Sequence, residues 1–305
     1  MDAARSHAAP GLGIDAGGTR TRWALAAADA TIVAEGEVGA LSALQMGSAS
    51  GRESIEATFA QLARQAGLHA RPGAIRAGLT GFGGDGEAMQ QMLAGLFGLS
   101  PSAVTLSSDI EIAYLDSFAP GQGYLVYAGT GSIGAFIDGA GQLHRAGGRG
   151  VYLDDGGGGY WIARAALRHI WRGEDEQPGR WRASPMAHAV FAQIGGDDWA
   201  LSRHVIYSQE RGAVGKLALA VAASADSDPV AAAILAKAGC ELARLAAALC
   251  ARFGPRPVAL AGRAASLHAA IYASMRAALP DAISLTHSGG HAHHAAARIA
   301  AKAAP

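Results

Sequence analysis

An Asp that ends a short apolar run, followed by two glycines and a Thr, suits phosphate and divalent-cation chemistry. The sequence carries that pattern in Gly13-Ile14-Asp15-Ala16-Gly17-Gly18-Thr19-Arg20-Thr21. Glycines let backbone N–H groups approach phosphate oxygens, and Thr19 adds a hydroxyl donor. Asp15 suits Mg²⁺, which takes one or two carboxylates together with water and phosphate oxygens. The same residues would also serve as an ordinary hairpin turn with a capping Asp. No Gly-Lys-Ser/Thr follows, and a hairpin instead of a helix leaves the glycines, so neither a P-loop nor a dinucleotide fingerprint is present. Gly129-Thr130-Gly131-Ser132, after the apolar run GYLVYA, repeats the logic. Leu260-Ala261-Gly262-Arg263-Ala264 runs from a strand into a small-residue turn that suits packing on a base or ribose. In Ser107-Ser108-Asp109-Ile110 a strand passes into a helix. Asp109 is there either a helix N-cap or a general base for a substrate hydroxyl. Lastly, VYLDDGGGGYW (151–161) sets Asp154 and Asp155 against four glycines, and its bulky apolar borders argue against a flexible linker.

The elements that position these residues follow from periodicity and punctuation. Strands are expected at Gly11–Ala16, Thr21–Ala27 and Thr31–Gly36, forming a meander, then at Ile75–Thr80 and Ala103–Ser107. Helices are expected at Ser54–Gln65, Gly86–Phe97 and Ile110–Ser117. The pattern restarts with strands at Gly123–Ala128, Ile133–Ile137 and Leu143–Ala146, an internal repeat of supersecondary structure without identity. A helix over Gly159–Trp171 opens a helical region running to Phe253. Strands at Pro257–Ala261 and Ile283–Thr286 and helices at Ala264–Ala278 and Gly290–Lys302 complete the chain. Strands alternating with helices in both halves indicate an α/β protein with two related lobes, and a cleft between such lobes is the natural ligand site.

Composition excludes several classes. At 305 residues the chain has room for two domains, and half its residues are hydrophobic, ample for buried cores. Lys plus Arg and Asp plus Glu each number 25, so no basic field is available for nucleic acid or an acidic membrane surface. No apolar run approaches the ~20 residues of a membrane span. MDAARSHAAPG lacks the apolar core of a signal peptide and reads as a short disordered lead to a cytoplasmic protein. Cys240 and Cys250 lie in an Ala/Leu-rich helical stretch, about 15 Å apart along a helix, too far for a disulfide. They read as reduced packing residues.

GIDAGGTRTRWAL, SSDIEIAY, YAGTGSIGAFI and GGRGVYLDDGGGGYWI occur together in the order and spacing of one family. Over about residues 11–300 the chain resembles the N-acetylglucosamine kinase branch of the BadF/BadG/BcrA/BcrD ATPase family, within the sugar kinase/Hsp70/actin superfamily. The resemblance implies two RNase H-like (actin-like ATPase) lobes with a nucleotide/sugar cleft between them. The N-terminal lobe would span 1–118 with the C-terminal helix 290–305, and the C-terminal lobe 119–289 with a helical insertion. The implied activity is ATP-dependent phosphorylation of the 6-hydroxyl of an amino sugar, with N-acetylglucosamine first. Glucosamine, another hexose, or a catalytically weak sugar or nucleotide sensor are the alternatives.

By the same resemblance Asp15 would hold Mg²⁺ through water, and Gly17, Gly18 and Thr19 would line the ATP phosphates. Thr130 and Gly131 would meet the phosphates from the other lobe, and Gly262 would lie near adenosine. Asp109 would be the catalytic base, and Gly147, Gly148 and Asp155 would contact the sugar. The partners implied are ATP and a small sugar, with neither nucleic acid nor membrane. Related kinases commonly dimerise, which leaves a homodimer open.

The chain departs from the family's pattern in places. Where the family reads GDEGSGYWIG, Gly156 replaces Glu, Gly158 replaces Ser, and an Asp stands at 154. Asp154 offers a carboxylate for the lost Glu, but from a different position on the backbone. Arg149 stands where the family has Trp in Gly-Gly-Trp-Gly, and Ala40–Gln45 lacks the Asn of amino-sugar kinases, leaving Gln45 as an amide source. The family's iron–sulfur activators need cysteines near the phosphate loops, which this chain lacks. A repressor on this fold would add a DNA-binding domain, for which the lead has no room. His291-Ala292-His293-His294 is expected to be the solvated start of the last helix, because the Cys-rich loop of zinc-bearing sugar kinases is missing. Trp161, Trp171 and Trp181 are expected to pack rather than stack on sugar.

Overall fold

The computed structural model describes residues 9–84 and 86–304, so most of the expected N-terminal lead lies outside the described residues. Chain contacts divide it into two compact units. Unit 1 holds the residues up to Ala119 together with those from Gly289 on, and unit 2 holds Pro120–Ser288.

Unit 1 contains β1 (Gly11–Ala16), β2 (Thr21–Ala26), β3 (Ile32–Val38), α1 (Ala49–Gly67), β4 (Ala74–Leu79), α2 (Glu87–Phe97), β5 (Val104–Ser108) and α3 (Asp109–Ser117). Its sheet has the order β3-β2-β1-β4-β5. The β1–β2–β3 meander is antiparallel, whereas β4 and β5 join in parallel. Unit 2 contains β6 (Tyr124–Ala128), β7 (Ser132–Ile137), β8 (Leu143–Gly147), α4 (Gly159–Glu176), α5 (Pro185–Ile194), α6 (Trp199–Ser208), α7 (Arg211–Gly215), α8 (Ala218–Ser224), α9 (Pro229–Phe253), β9 (Val258–Ala261), α10 (Ala269–Ala278) and β10 (Leu285–His287). Its sheet order is β10-β9-β6-β7-β8. Counted from β6, that is again a meander on one side and two parallel strands on the other. The internal repeat expected from the sequence is therefore a repeat of topology. The last helix, α11 (Ala292–Ala303), belongs to unit 1.

Alternation along β1 explains how unit 1 closes. Leu12, Ile14 and Ala16 point into a core with Ile55, Phe59, Leu62 and Ile75. Gly11 and Gly13 point the other way, onto α11. A Cβ at Gly13 would stand 2.1 Å from the His293 carbonyl oxygen and 2.2 Å from the Ala297 nitrogen. The helix answers with Ala292, Ala295, Ala296, Ala297, Ala300 and Ala301, all buried. Glycine on the strand and alanine on the helix bring two backbones together at a distance that larger side chains forbid.

Three element boundaries differ from expectation for identifiable reasons. Helix α1 starts at Ala49, because Ser48 Oγ accepts from the Gly51 amide at 3.1 Å and caps it ahead of the first apolar position. Helix α4 continues past Trp171 to Glu176, with the Trp171 ring edge-on to Phe191 and Trp199. Helix α10 starts only at Ala269, because the Ala264 amide donates to the Ala128 carbonyl and the chain turns there.

Candidate active site

In unit 1 the parallel strands β1, β4 and β5 end at one edge of the sheet. Register puts Asp15 beside Gly78 and Gly78 beside Ser107, so Asp109 follows that row by two residues. Ligands of open α/β sheets gather beyond such carboxyl ends. The turn Gly17-Gly18-Thr19 projects from the same edge. Gly18 and Thr19 are exposed, and a Cβ at Gly18 would meet nothing within 4 Å, so the turn is open to a ligand on that side. Asp15 Oδ2 accepts from Arg22 Nη2 at 2.7 Å across the β1–β2 pair. Burial pushes the Asp15 carboxyl up from its ordinary value, and Arg22 counters it. One carboxylate, partly exposed and already shared with a guanidinium, suits contact to a cation through water better than direct ligation.

The alternative role of Asp109 as an N-cap does not hold. The cap of α3 is Ser108, whose amide and hydroxyl both bond Glu111 Oε2, at 2.9 and 2.8 Å, in a capping box. Asp109 is the first helical residue, half-buried, with Oδ1 accepting from the Ile110 amide at 2.9 Å. Its carboxylate sits at the N-terminal end of α3.

The loop from Leu41 to Gly47 lies at the same edge. The Leu41 amide donates to the Gly17 carbonyl, the Ala43 amide to the Thr80 carbonyl, and Ser42 Oγ to that same carbonyl at 3.3 Å. Gln45 is spent locally, since its Oε1 accepts from the Ser42 amide at 2.8 Å.

In unit 2 the β6–β7 turn carries Thr130 and Gly131. The carbonyls of Gly129 and Thr130 accept from the Gly159 and Tyr160 amides, which fixes the turn to the start of α4. Asp155 stands beside the turn, and a Cβ on Gly131 would lie 2.1 Å from its Oδ2. Asp155 is buried, has φ +56°, and receives the Gly150 amide on Oδ1 at 3.1 Å. A non-glycine residue held in that backbone region is uncommon and clusters at functional sites. Burial pushes its carboxyl up, with Asp154 adding to the rise and Arg211 opposing it. Gly147 and Gly148 follow β7 closely and both have positive φ, and the Gly148 amide donates to the Ser132 carbonyl. Gly262, at φ +96°, lets the chain pass the end of β6, where a Cβ would stand 2.3 Å from the Ala128 oxygen.

The glycines of VYLDDGGGGYW are not exposed; all four are buried. A Cβ at Gly156 would reach Glu241 Oε2 at 2.9 Å, and one at Gly158 the Gly131 carbonyl carbon at 2.6 Å. Asp154 does not take over from the missing glutamate. Its carboxylate is bound by Arg244 of α9 at 2.9 Å, and its Oδ1 caps the Gly156 amide at 3.3 Å. Trp171 and Trp181 pack with Phe191, as expected.

Arg211 was missed by sequence reasoning. It opens α7, whose Gly212 and Gly215 lie against Thr130. Its charge acts on Asp155, and its only sequence signal is the glycine-bearing run Arg211–Lys216. A separate cavity of about 280 Å³ between α4 and α5, lined by Trp181 and Asp228, holds none of the candidate residues. Among the described residues no helix is long and apolar enough to cross a membrane.

Two β-meander sheets of matching topology define the actin-like ATPase class shared by sugar kinases. The particular assignment follows from the family model for BadF/BadG/BcrA/BcrD ATPases, which matches residues 12–287; the chain belongs to that family. It is similar to the putative N-acetylglucosamine kinase from Chromobacterium violaceum, with 28% identity, a TM-score of 0.72, and coverage of 96% of this chain and 99% of that one. It also shares its fold with the putative N-acetylglucosamine kinase from Porphyromonas gingivalis, with 15% identity, a TM-score of 0.73, and coverage of 93% and 96%. The fold extends to a ROK family glucokinase from Streptomyces griseus in complex with glucose and AMPPNP, with 16% identity, a TM-score of 0.63, and coverage of 97% and 99%. A search of curated protein sequences returned no match.

Proposed function

We propose that the chain is an ATP-dependent kinase that phosphorylates the 6-hydroxyl of an amino sugar, with N-acetylglucosamine the first candidate. The observation that carries this reading is the shared edge of β1, β4 and β5, where Asp15, the Gly17-Gly18-Thr19 turn and Asp109 lie together. A turn for phosphate, a carboxylate for a hydrated cation and a second carboxylate for a hydroxyl proton are what phosphoryl transfer to an alcohol requires. The choice of sugar rests on the 28% identical relative, matched over nearly all of both chains.

In this reading Gly17, Gly18 and Thr19 bind ATP phosphates through backbone and hydroxyl donors, as do Thr130 and Gly131 in unit 2. Gly262 packs on adenosine. Asp15 would hold Mg²⁺ through water, and such an ion would supply charge neutralisation at the phosphates. Asp109 accepts the proton of the 6-hydroxyl as that oxygen bonds the γ-phosphorus and the bond to ADP breaks. Gly147, Gly148 and Asp155 orient the sugar.

Glucosamine or another hexose is the second candidate, favoured by Arg149 in place of an aromatic and by Gly156, whose side-chain space Glu241 fills. A coupled assay of ADP release across N-acetylglucosamine, glucosamine, glucose and N-acetylmannosamine tests both. The first reading expects N-acetylglucosamine to give the highest kcat/KM. A hundredfold preference for another hexose would replace the acceptor, and binding of ATP and sugar without turnover on any of them would make the chain a sensor.

A further inference from the structure

Of the histidines at the start of α11, His291 is exposed as expected, but His293 and His294 are not solvated. His293 is 5% exposed and His294 is largely covered, and both face Glu35 on β3. His294 Nε2 lies 2.5 Å and His293 Nε2 3.6 Å from the same oxygen, Glu35 Oε2. One ligand atom from each of the three residues falls within a 4.8 Å span. A tetrahedral ion with bonds of about 2.0–2.2 Å sets its ligand atoms roughly 3.3–3.6 Å apart. Glu35, exposed and able to move, needs only a small shift to meet that spacing.

The buried ring of His293 bears on the same site. His293 Nδ1 is buried and has no hydrogen-bond partner, and its Nε2 is too far from Glu35 for a hydrogen bond. Nε2, which faces Glu35 with no bond of its own, is the nitrogen that would receive an ion, and Nδ1 lies on the other side of the ring. Arg22, the cation facing His293, is itself paired with Asp15 and bonded to the Gly290 carbonyl, which blunts its repulsion. The His291 ring stacks on His294 with centroids 4.9 Å apart, so a third imidazole borders the cluster.

We propose that Glu35, His293 and His294 form a binding site for one divalent transition-metal ion of the zinc class, which fastens strand β3 to the start of α11. Two imidazoles and a carboxylate match the ligand preferences of such ions, with a fourth position left to solvent on the exposed Glu35 side. The site shares no ligand residue with those assigned to phosphoryl transfer, although Arg22 stands between Asp15 and His293, and it does not depend on that assignment.

The test uses the full-length protein without affinity histidines, stripped with a chelator and titrated with Co²⁺ and then Zn²⁺. The proposal expects one equivalent of Co²⁺ with the visible bands of a tetrahedral site, displaced by Zn²⁺, and a melting temperature that rises with Zn²⁺. Glu35→Gln and His294→Ala should each weaken binding at least tenfold and abolish the rise, whereas Cys240→Ser should change neither. Circular dichroism confirms that each variant is folded, and Glu35→Gln, at an exposed position, keeps the test open if His294→Ala is not. Absence of stoichiometric binding, or equal affinity in the wild type and a folded Glu35→Gln, would overturn it.

Discussion

Asp109 looks like a cap in the sequence, but the start of α3 does not depend on it. Because Ser108 and Glu111 complete the capping box between themselves, the carboxylate of Asp109 is not required to start α3. Asn at position 109 keeps an oxygen that can accept from the Ile110 amide, so the helix start should survive the exchange. What Asn cannot do is take a proton. We therefore expect Asp109→Asn to leave ATP affinity within about twofold and to lower kcat by about 10²–10⁴, the range of a lost general base. Isothermal titration with ATP and the coupled assay separate the two effects. A near-normal kcat would remove Asp109 from the reaction. Asp155 is a different case, since its buried carboxylate and left-handed backbone are locked against Gly131, and its exchange would disturb the turn together with any ligand contact.

At the scale of elements, the contact of α11 with β1 is the joint on which unit 1 depends. A methyl at Gly13 would meet the His293 oxygen and the Ala297 nitrogen, backbone atoms that no rotamer change can move aside. The helix would have to retreat, and Gly13→Ala should cost at least the 1–3 kcal/mol typical of overpacking. Gly18→Ala is the matched control, because nothing lies within 4 Å of its Cβ, and its stability should stay near that of the wild type. Urea unfolding followed by circular dichroism compares them, and equal midpoints would mean that α11 does not press on β1 as closely as the structure has it. The same joint shows what a sequence reveals. Short apolar runs ending in Asp, Thr or Ser placed β1, β4 and β5 to within a residue, because a strand's burial is a local pattern. The start of α1 was hidden because residues 49–53 carry no apolar signal and only the Ser48 cap marks them. The burial of His293 and the approach of Gly212 and Gly215 to Thr130 were hidden for another reason. Each is created by packing between segments far apart in the chain, and no local period encodes it.

At the scale of the whole molecule, the two units differ in how the chain builds them. Unit 2 is continuous, with all five strands and seven helices between Pro120 and Ser288. Unit 1 is discontinuous, and its last helix arrives only after unit 2 has been traversed. Residues 9–119 alone would leave the Gly11 and Gly13 face of β1 and the buried Ala24 and Ala26 without their cover from Ala297 and Ala301. A sheet with one bare face that lacks side chains large enough to pack elsewhere should not hold together in water. We expect a fragment of residues 120–288 to unfold cooperatively on its own. A fragment of residues 9–119 should show no cooperative transition until residues 289–304 are joined to it through a short linker. Urea titrations of the three fragments, followed by circular dichroism, check this. Cooperative unfolding of 9–119 alone would show that α11 covers unit 1 without holding it together. The Gly13→Ala penalty would then have to come from strain in a docked helix instead of loss of the joint.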